Sequence, residues 1–217
     1  MSILYYSRNP NPRLALAVAR HMNAPVTLQW ASPFSTDQAE TFKALNPTQL
    51  IPILVENGPP LWEADAIACR LSMMVGSNFW RMDDNLPDMI RWLSWGKPHF
   101  VQACDMIHFE VATKQRYGHG PIDHTKLKDG LELFHRSAAL LERHLQGRDW
   151  LLASGLSYAD FRMATFLPFN EVANLPVSDY ANVARWSGNL QDLAAWSDPF
   201  NGLNAPELPP LPPREIE

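Results

Sequence analysis

The residues best suited to binding chemistry lie in segment 42–67, where an Ile51-Pro52 step enters an apolar strand and Glu63 opens the next helix. Proline has no backbone N–H, so it cannot occupy a central, hydrogen-bonded position in a sheet. An X-Pro bond at a strand entrance is therefore a candidate for a cis turn that presents the backbone of Ile51 to an extended ligand. A carboxylate at the mouth of the following helix points to a small, peptide-like ligand. The alternative is an ordinary sheet edge followed by a surface glutamate.

Metal and thiol chemistry find little support in the residue spacing. The seven histidines show no ligand spacing with cysteines or carboxylates, so we expect no metal site. Cys69 and Cys104 fall in different predicted helices and form no Cys-x-x-Cys pair. Two buried, reduced thiols are typical of a cytosolic protein.

The bulk composition predicts an ordinary globular protein without a polyanionic or lipid partner. The 217 residues are 46% hydrophobic and 19% charged, and the formal net charge is −5. An acidic chain without Lys/Arg runs gives no reason to expect a nucleic-acid partner. No apolar stretch approaches the length of a membrane span, and the first residues lack a signal-type pattern, so we expect no membrane association and a cytoplasmic location.

The first third of the chain reads as a small α/β unit. A strand over residues 3–6 is followed by a helix, with Asn11 as the expected N-cap and Pro12 at the first helical position. Apolar residues at four-residue spacing from Leu14 predict one buried face for this helix. The further predicted elements are a strand over 26–30, a helix over 35–45, strands over 53–55 and 61–62, and a helix ending near Val75. We therefore expect an α/β domain over residues 1–76.

The remainder of the chain is helical in character. Residues 77–86 are the predicted linker, and residues 87–204 the predicted all-helical domain, whose first long helix is expected to kink at Pro98. Ser157 and Asp160 form a capping-box pattern ahead of an apolar run. Residues 205–217 are a proline-rich tail, which cannot be helical and is expected to be extended or mobile.

Four motifs in chain order resemble those of the cytosolic glutathione S-transferases, in particular bacterial members. They are Leu4-Tyr5-Tyr6-Ser7 in the first strand, Asn46-Pro47 with Ile51-Pro52 in the loop, Leu61-Trp62-Glu63-Ala64-Asp65-Ala66-Ile67 at the third helix, and Leu156-Ser157-Tyr158-Ala159-Asp160 at the capping box; Arg91-Trp92-Leu93-Ser94-Trp95 also looks like the start of the family's C-terminal domain. The resemblance covers nearly the whole chain. It implies a thioredoxin-like domain that holds glutathione as co-substrate, a helical domain that receives a small electrophile, and a homodimer.

Carried over residue by residue, the resemblance assigns the glutathione site. Ile51, before the cis-proline Pro52, is the residue whose backbone pairs with the cysteinyl part of glutathione. Glu63 is the acidic residue that grips the γ-glutamyl end, where it can pair with the ammonium group. Leu50 and Ala64 occupy the remaining glutathione-binding positions.

The resemblance also assigns catalytic and second-substrate positions. Family members place a Tyr, Ser, Cys or Asn near the start of the first helix to stabilise the glutathione thiolate, and this place falls on Asn11, with Ser7 as a less well placed hydroxyl. The alternative for Asn11 is a purely capping role. Trp95, His99 and Phe100 are the expected residues of the second-substrate pocket.

The glutathione motif departs from the family pattern at two places, and these departures keep other functions open. At the third helix, Ala64 stands where the family has Ser or Thr. In the loop, Gln49 stands where the family has Gly, and Leu50 where it has a polar residue that helps to hold the glycyl end. The leading prediction is a transferase that conjugates glutathione to an electrophile or uses it in reduction. The alternatives are a catalytically weak binding module of the same fold and a glutathione-dependent disulfide or peroxide reductase.

Overall fold

The computed structural model describes residues 2–32, 35 and 38–212, which form two compact units. One unit comprises the described residues up to Leu86 together with Gln191–Pro206, and the other comprises Pro87–Leu190 with the described residues from Glu207 onward. The described helices are α1 (Pro10–His21), α2 (Ala39–Leu45), α3 (Ala64–Val75), α4 (Leu86–Gly96), α5 (Gln102–His108), α6 (Lys114–Tyr117), α7 (His124–His144), α8 (Tyr158–Met163), α9 (Asn170–Ala173), α10 (Ala181–Gln191) and α11 (Ala194–Ser197). None of the helices in these ranges is long and apolar enough to cross a membrane.

A four-stranded mixed sheet organises the first unit. Its strands are β1 (Ile3–Tyr6), β2 (Thr27–Trp30), β3 (Ile53–Val55) and β4 (Leu61–Trp62), in the spatial order β2-β1-β3-β4. β1 pairs with β2 in parallel, and the β1–β3 and β3–β4 pairs are antiparallel. The predicted fold class, a thioredoxin-like α/β domain followed by an all-helical domain, is confirmed. Residues 36 and 37 of the predicted second helix lie outside the described residues.

The first helix begins earlier than the sequence analysis predicted. Asn9, not Asn11, is the N-cap, and Pro10 takes the first helical position. The backbone N–H of Arg13 closes the first turn onto the carbonyl of Asn9 at 2.9 Å. Both prolines fit the helix start, because their fixed φ suits it and their missing N–H groups have no partner there in any case. The predicted cap at Asn11 is therefore wrong, and Asn11 lies exposed within the first turn.

The prediction of one buried face for α1 is also wrong, because every residue from Pro12 to Ala19 is buried. Helix α3 covers one side of α1, and α11 packs against it from the C-terminal part of the chain. The buried guanidinium of Arg13 donates a hydrogen bond to the carbonyl of Trp196 and lies over the Trp196 ring, 5.1 Å from its centroid. Burial lowers the pKa of Arg13 to about 10, so the side chain stays charged at neutral pH.

The segment Gln191–Pro206 thus groups with the first unit, whereas the sequence analysis placed residues up to 204 in the helical domain. The physical reason is the set of side chains on β1 and α1 that bind it, of which Arg13 is one. The described part of the proline-rich tail, up to Pro212, has no regular secondary structure, as predicted. Residues 213–217 of that tail lie outside the described residues.

The second unit is helical throughout. Its first helical stretch runs from α4 to α6 and is interrupted by two π-helical segments, Lys97–Val101 and Phe109–Thr113. Pro98 lies in the first of them, where proline removes a helical donor. The predicted capping box is present at α8: Ser157 and Asp160 exchange hydrogen bonds between side chain and backbone. The core is built on large, fully buried aromatic side chains, among them Phe100, Phe134, Tyr158, Phe161 and Trp186.

Candidate functional site

The strand register brings three predicted site segments to one end of the sheet. Tyr5 of β1 lies opposite Ile53 of β3, and Ile53 lies opposite Trp62 of β4. Because both pairs are antiparallel, the chain leaving β1, the chain entering β3 and the chain leaving β4 lie at the same end. This end of the sheet therefore brings together segments 7–11, 51–52 and 63–64.

The loop that enters β3 is held in shape by one buried asparagine. The Ile51-Pro52 peptide bond is cis, as predicted from the sequence. The Asn46 side-chain oxygen accepts hydrogen bonds from the backbone N–H and the hydroxyl of Thr48, both at 3.0 Å, and its amide donates to the carbonyl of Leu50 at 2.8 Å. Asn46 is 2% exposed, whereas its partners Thr48 and Leu50 lie at the surface. These hydrogen bonds fix the backbone immediately before Ile51.

The Ile51 side chain anchors the same loop from its other face. It packs, half-buried, against the cluster of buried residues Ala31, Phe42 and Ile53. Its backbone is therefore positioned both by packing and by the neighbouring Leu50 carbonyl contact. Leu50 itself is 53% exposed, and its apolar side chain offers no hydrogen bond to a charged ligand group.

Glu63 and Ala64 form the start of α3 at the same edge. Glu63 is the N-cap residue, with φ of 74° and an exposed side chain, and its carbonyl accepts the backbone N–H of Ile67. The first-turn amides of α3 point away from the helix and form a site that favours an anion. Ala64 is buried and carries no hydroxyl, so a carboxylate here could be met only by backbone N–H groups.

The segment from the end of β1 to the first turn of α1 carries the two candidate catalytic side chains. The Ser7 hydroxyl is 4% exposed and accepts hydrogen bonds from the backbone and side-chain nitrogens of Asn9, at 3.3 and 3.4 Å. Asn11 is exposed, at the second position of the helix. Since Pro10 and Pro12 have no N–H, Asn11 supplies the one backbone donor among the first three helical residues. Of the two candidates, Asn11 is the side chain accessible to a ligand.

Arg8 is a residue at this edge that the sequence analysis missed. It lies between the two catalytic candidates, with its guanidinium 4.6 Å from the centroid of the Phe200 ring. Its Nε donates to the carbonyls of Ala205 and Pro206, at 3.0 and 3.1 Å. These partners are almost 200 residues away along the chain, and local spacing gave no signal of them.

A polar depression of about 340 Å³ lies at the opposite end of the sheet, near the start of β1. It is lined by Ser2, Glu56, Asn57, Gly58, Pro59 and Arg70. Arg70 and Glu56 form a bidentate ion pair with distances of 2.7 and 2.9 Å, and this pairing lowers the pKa of Glu56. The charges of Arg70 and Glu56 neutralise each other.

The predicted second-substrate residues separate into two environments within the helical unit. The Trp95 and His99 rings stack with centroids 5.3 Å apart and planes 9° apart, and a His99 ring nitrogen lies 2.7 Å from the Trp95 carbonyl. Both side chains are half-buried, so part of this planar pair faces outward. Phe100 is fully buried and packs against Phe134, with the two ring centroids 5.3 Å apart. Phe100 therefore belongs to the core, and its assignment to a pocket is corrected.

Of the remaining histidines, His21, His108 and His144 pack against aromatic rings, whereas His119, His124 and His135 are exposed. His108 is buried against Phe166 and Phe169, and burial lowers its pKa to about 4. Both thiols are free, and burial raises the pKa of Cys69 and of Cys104. Among the described residues, no group of three or more His, Cys, Asp or Glu side chains is arranged to hold a metal ion.

Comparison with known proteins agrees with this arrangement. A family model described as "Glutathione S-transferase, C-terminal domain" matches residues 113–189. Glutathione S-transferase D6 of Drosophila melanogaster is 24% identical over 208 residues, covering 91% of each chain. A glutathione S-transferase from Rhodospirillum rubrum F11 has the same fold, with a TM-score of 0.81 at 20% identity and coverage of 97% of this chain and 96% of that one. A second one, from Methylobacillus flagellatus with glutathione bound, has a TM-score of 0.76 at 19% identity, covering 92% and 98%. Residues 113–189 are thus similar to the C-terminal domain of the glutathione S-transferases, and the chain has the fold of these proteins.

Proposed function

We propose that this protein is a glutathione transferase. It binds glutathione at the end of the sheet where segments 7–11, 51–52 and 63–64 meet. The observation that supports this most strongly is the antiparallel register of β1, β3 and β4, which gathers all three segments at one end. Two of the similar solved structures hold glutathione, one from Methylobacillus flagellatus and one from Pseudomonas fluorescens. In this proposal the Ile51 backbone pairs with the cysteinyl part of the ligand, and Glu63 pairs with its ammonium group.

The proposed chemistry needs the glutathione thiol as a thiolate. The Asn11 amide donates a hydrogen bond to the sulfur, and the helix start adds a partial positive charge. An amide cannot accept a proton, so the thiol proton passes to water. With an aryl halide, the thiolate sulfur then forms a bond to the carbon that carries the halogen, and the halide leaves with its bonding electrons. We place the acceptor electrophile, a small compound of the kind met in detoxification, beside Trp95 and His99.

Calorimetric titration with glutathione and with glutathione disulfide tests this proposal directly. Binding of glutathione together with turnover of 1-chloro-2,4-dinitrobenzene is the expected result. Turnover of a disulfide without turnover of the aryl halide would instead identify a glutathione-dependent reductase. Absence of binding to both ligands would contradict the proposed site.

A second candidate function is a binding module with little catalysis. Two observations favour it: Ala64 offers no hydroxyl to the γ-glutamyl carboxylate, and the exposed Leu50 side chain offers no polar group to the glycyl end. Loss of two contacts to charged groups, each worth about 1–3 kcal/mol, weakens binding by roughly tens to thousands of fold. Retention on immobilised glutathione without measurable turnover would support this candidate.

We further propose a homodimer in the cytoplasm. The aromatic linker residue Phe79 is not available for a subunit contact, because it is buried in its own chain. Its ring centroid lies 4.6 Å from that of His21. Exposed apolar side chains of the first unit, Trp62, Met73 and Met82, are the better candidates for a subunit contact. A sedimentation mass of one chain at micromolar concentration would contradict the dimer, and cell fractionation tests the compartment.

A further inference from the structure

The C-terminal segment Gln191–Pro206, here called the strap, is bound to β1 and α1 by a repeated type of contact. Four side chains of the N-terminal segment donate hydrogen bonds to backbone carbonyls of the strap. The pairs are Tyr6 with Asn204 at 3.2 Å, Arg8 with Ala205 and Pro206 at 3.0 and 3.1 Å, Arg13 with Trp196, and Arg20 with Asn201 at 2.7 Å. Three arginines and one tyrosine thus hold one stretch of backbone along the start of the chain.

Arg8 is the member of this set that lies inside the proposed catalytic loop. Its neighbours in the chain are Ser7 and Asn9, and Asn11 follows three positions later. The guanidinium combines two interactions that fix its orientation: a shared hydrogen bond from Nε to two carbonyls, and stacking on Phe200. A planar guanidinium can make both at once, whereas a lysine ammonium offers neither the plane nor the fork.

The hydrogen bonds that join Asn9 to the Ser7 hydroxyl are long, so they hold this side of the segment weakly. The two bonds from Asn9 to the Ser7 hydroxyl measure 3.3 and 3.4 Å, near the limit of useful geometry. Pro10 and Pro12 remove two backbone donors from the same stretch. Surface loops of this kind open locally at little cost unless other contacts hold them.

We propose that Arg8 is a positioning residue, which ties the loop 7–11 to the strap and so keeps the Asn11 amide at the glutathione sulfur. The inference rests on the proposed function for its catalytic part, since it presumes that Asn11 faces the thiolate. Its structural part, the dependence of the loop on the strap, stands apart from any ligand.

Truncation of the chain separates the effect of the contact between Arg8 and the strap from the effect of the Arg8 charge. Ending the chain after Leu203 removes the acceptors at Asn204, Ala205 and Pro206 but leaves the charge of Arg8 in place. Ending it after Leu208 is the matched control, because it removes most of the proline-rich tail and keeps all three acceptors. Arg8→Ala removes both charge and anchor, and Arg8→Lys keeps the charge alone.

The first measurement is amide hydrogen exchange of the ligand-free protein in peptides that cover residues 5–14. We expect exchange at Asn9 and Asn11 to accelerate by about tenfold or more in the Leu203 truncation, in Arg8→Ala and in Arg8→Lys, with no change in the Leu208 truncation. Unchanged exchange in the Leu203 truncation would overturn the anchoring role.

The second measurement is turnover of 1-chloro-2,4-dinitrobenzene as a function of pH, together with the Kd of glutathione. We expect kcat to fall by about tenfold in the Leu203 truncation and in Arg8→Ala, with Kd within about threefold of the wild type. A variant that combines the Leu203 truncation with Arg8→Ala should lose no more kcat than either change alone, because both changes break the same contact. The pKa in the kcat profile should rise in each.

The outcomes are distinguishable. If the Leu203 truncation keeps full turnover while Arg8→Ala loses it, Arg8 acts by its charge on the sulfur and the positioning role is refuted. Additive losses in the combined variant would refute it as well. If the wild type binds no glutathione, the proposed function fails, and the exchange measurement still decides whether the strap anchors the loop.

Discussion

Replacing Asn46 by alanine tests whether the loop before Ile51 is preorganised for its ligand. The substitution removes an oxygen that accepts two hydrogen bonds from Thr48 and an amide that donates to the Leu50 carbonyl. Without them, the backbone leading to the cis Ile51-Pro52 bond is expected to sample several conformations in the ligand-free protein. Glutathione would then have to order the loop when it binds.

The magnitude follows from the bonds that are lost. Two of them involve backbone groups, the Thr48 N–H and the Leu50 carbonyl, and fix the loop directly. Each contributes a net stabilisation of about 0.5–1.5 kcal/mol, so the loop loses about 1–3 kcal/mol of preorganisation. If the ligand must restore this order, the Kd of glutathione rises by about 5- to 150-fold. The free energy of unfolding should fall by a similar amount.

Calorimetric titration of glutathione gives the first quantity, and urea denaturation gives the second. Asn57→Ala is the matched control, because Asn57 is an exposed asparagine in the turn after β3. Asn46→Asp is a sharper variant: it keeps the acceptor for Thr48 and places an oxygen against the Leu50 carbonyl oxygen. A variant that loses unfolding free energy but binds glutathione as the wild type does would refute the reasoning, since the loop would then need no asparagine to hold it.

Three further predictions concern charge, catalysis and pH. Glu63→Gln should raise the Kd of glutathione by about ten- to a hundredfold through loss of the ammonium contact, while Glu40→Gln, at an exposed site on α2, should leave it unchanged in the same titration. Asn11→Ala should lower kcat by about ten- to a hundredfold at nearly constant glutathione affinity. If Asn11→Ala leaves kcat unaffected and Ser7→Ala is inactive, the serine is the catalytic group. Burial raises the pKa of Asp160 to about 6, despite its hydrogen bonds from Leu151, Ser157 and Trp186, so the folded state binds more protons than the unfolded state between pH 4 and 6. Its contribution to the unfolding free energy should therefore fall by about 1 kcal/mol from pH 5 to pH 7, and a wild-type minus Asp160→Asn difference that is constant over this range in urea denaturation would contradict the raised pKa.

The sequence predicted those features that local chemistry determines. The cis bond at Ile51-Pro52, the strands at 53–55 and 61–62 and the capping box at Ser157 each depend on a few neighbouring residues. Such short-range rules also gave the order of the elements, and with it the fold class. The start of α1 was placed two residues late because Asn9-Pro10 and Asn11-Pro12 carry the same cap-and-proline signal. Sequence spacing could not choose between two equal signals.

The features that the sequence did not predict depend on contacts between distant parts of the chain. Helix α1 is buried all round because α11 returns to it, and the buried Arg13 donates its hydrogen bond to Trp196 of that helix. Phe100 was assigned to a pocket from its place in the helix, and only the packing of Phe134 against it identifies it as core. In each case the deciding partner lies more than thirty residues away in the sequence.

The proposed glutathione site relies mainly on backbone groups, which explains how it could persist through the substitutions at Leu50 and Ala64. The Ile51 backbone and the first-turn amides of α3 depend on the cis turn, on Asn46 and on the sheet register, not on the side chains that have changed. What those two substitutions remove is side-chain contact with the two carboxylates of glutathione. The amides of α3 can still meet the γ-glutamyl carboxylate, whereas the Leu50 side chain leaves the glycyl carboxylate without a contact at this position. Affinity should therefore depend less on the glycyl end here than in relatives with a polar residue at this place. Titration with γ-glutamylcysteine, which lacks the glycine, measures this directly: a Kd within about threefold of that for glutathione is expected, and a much weaker one would show that another residue holds the glycyl end.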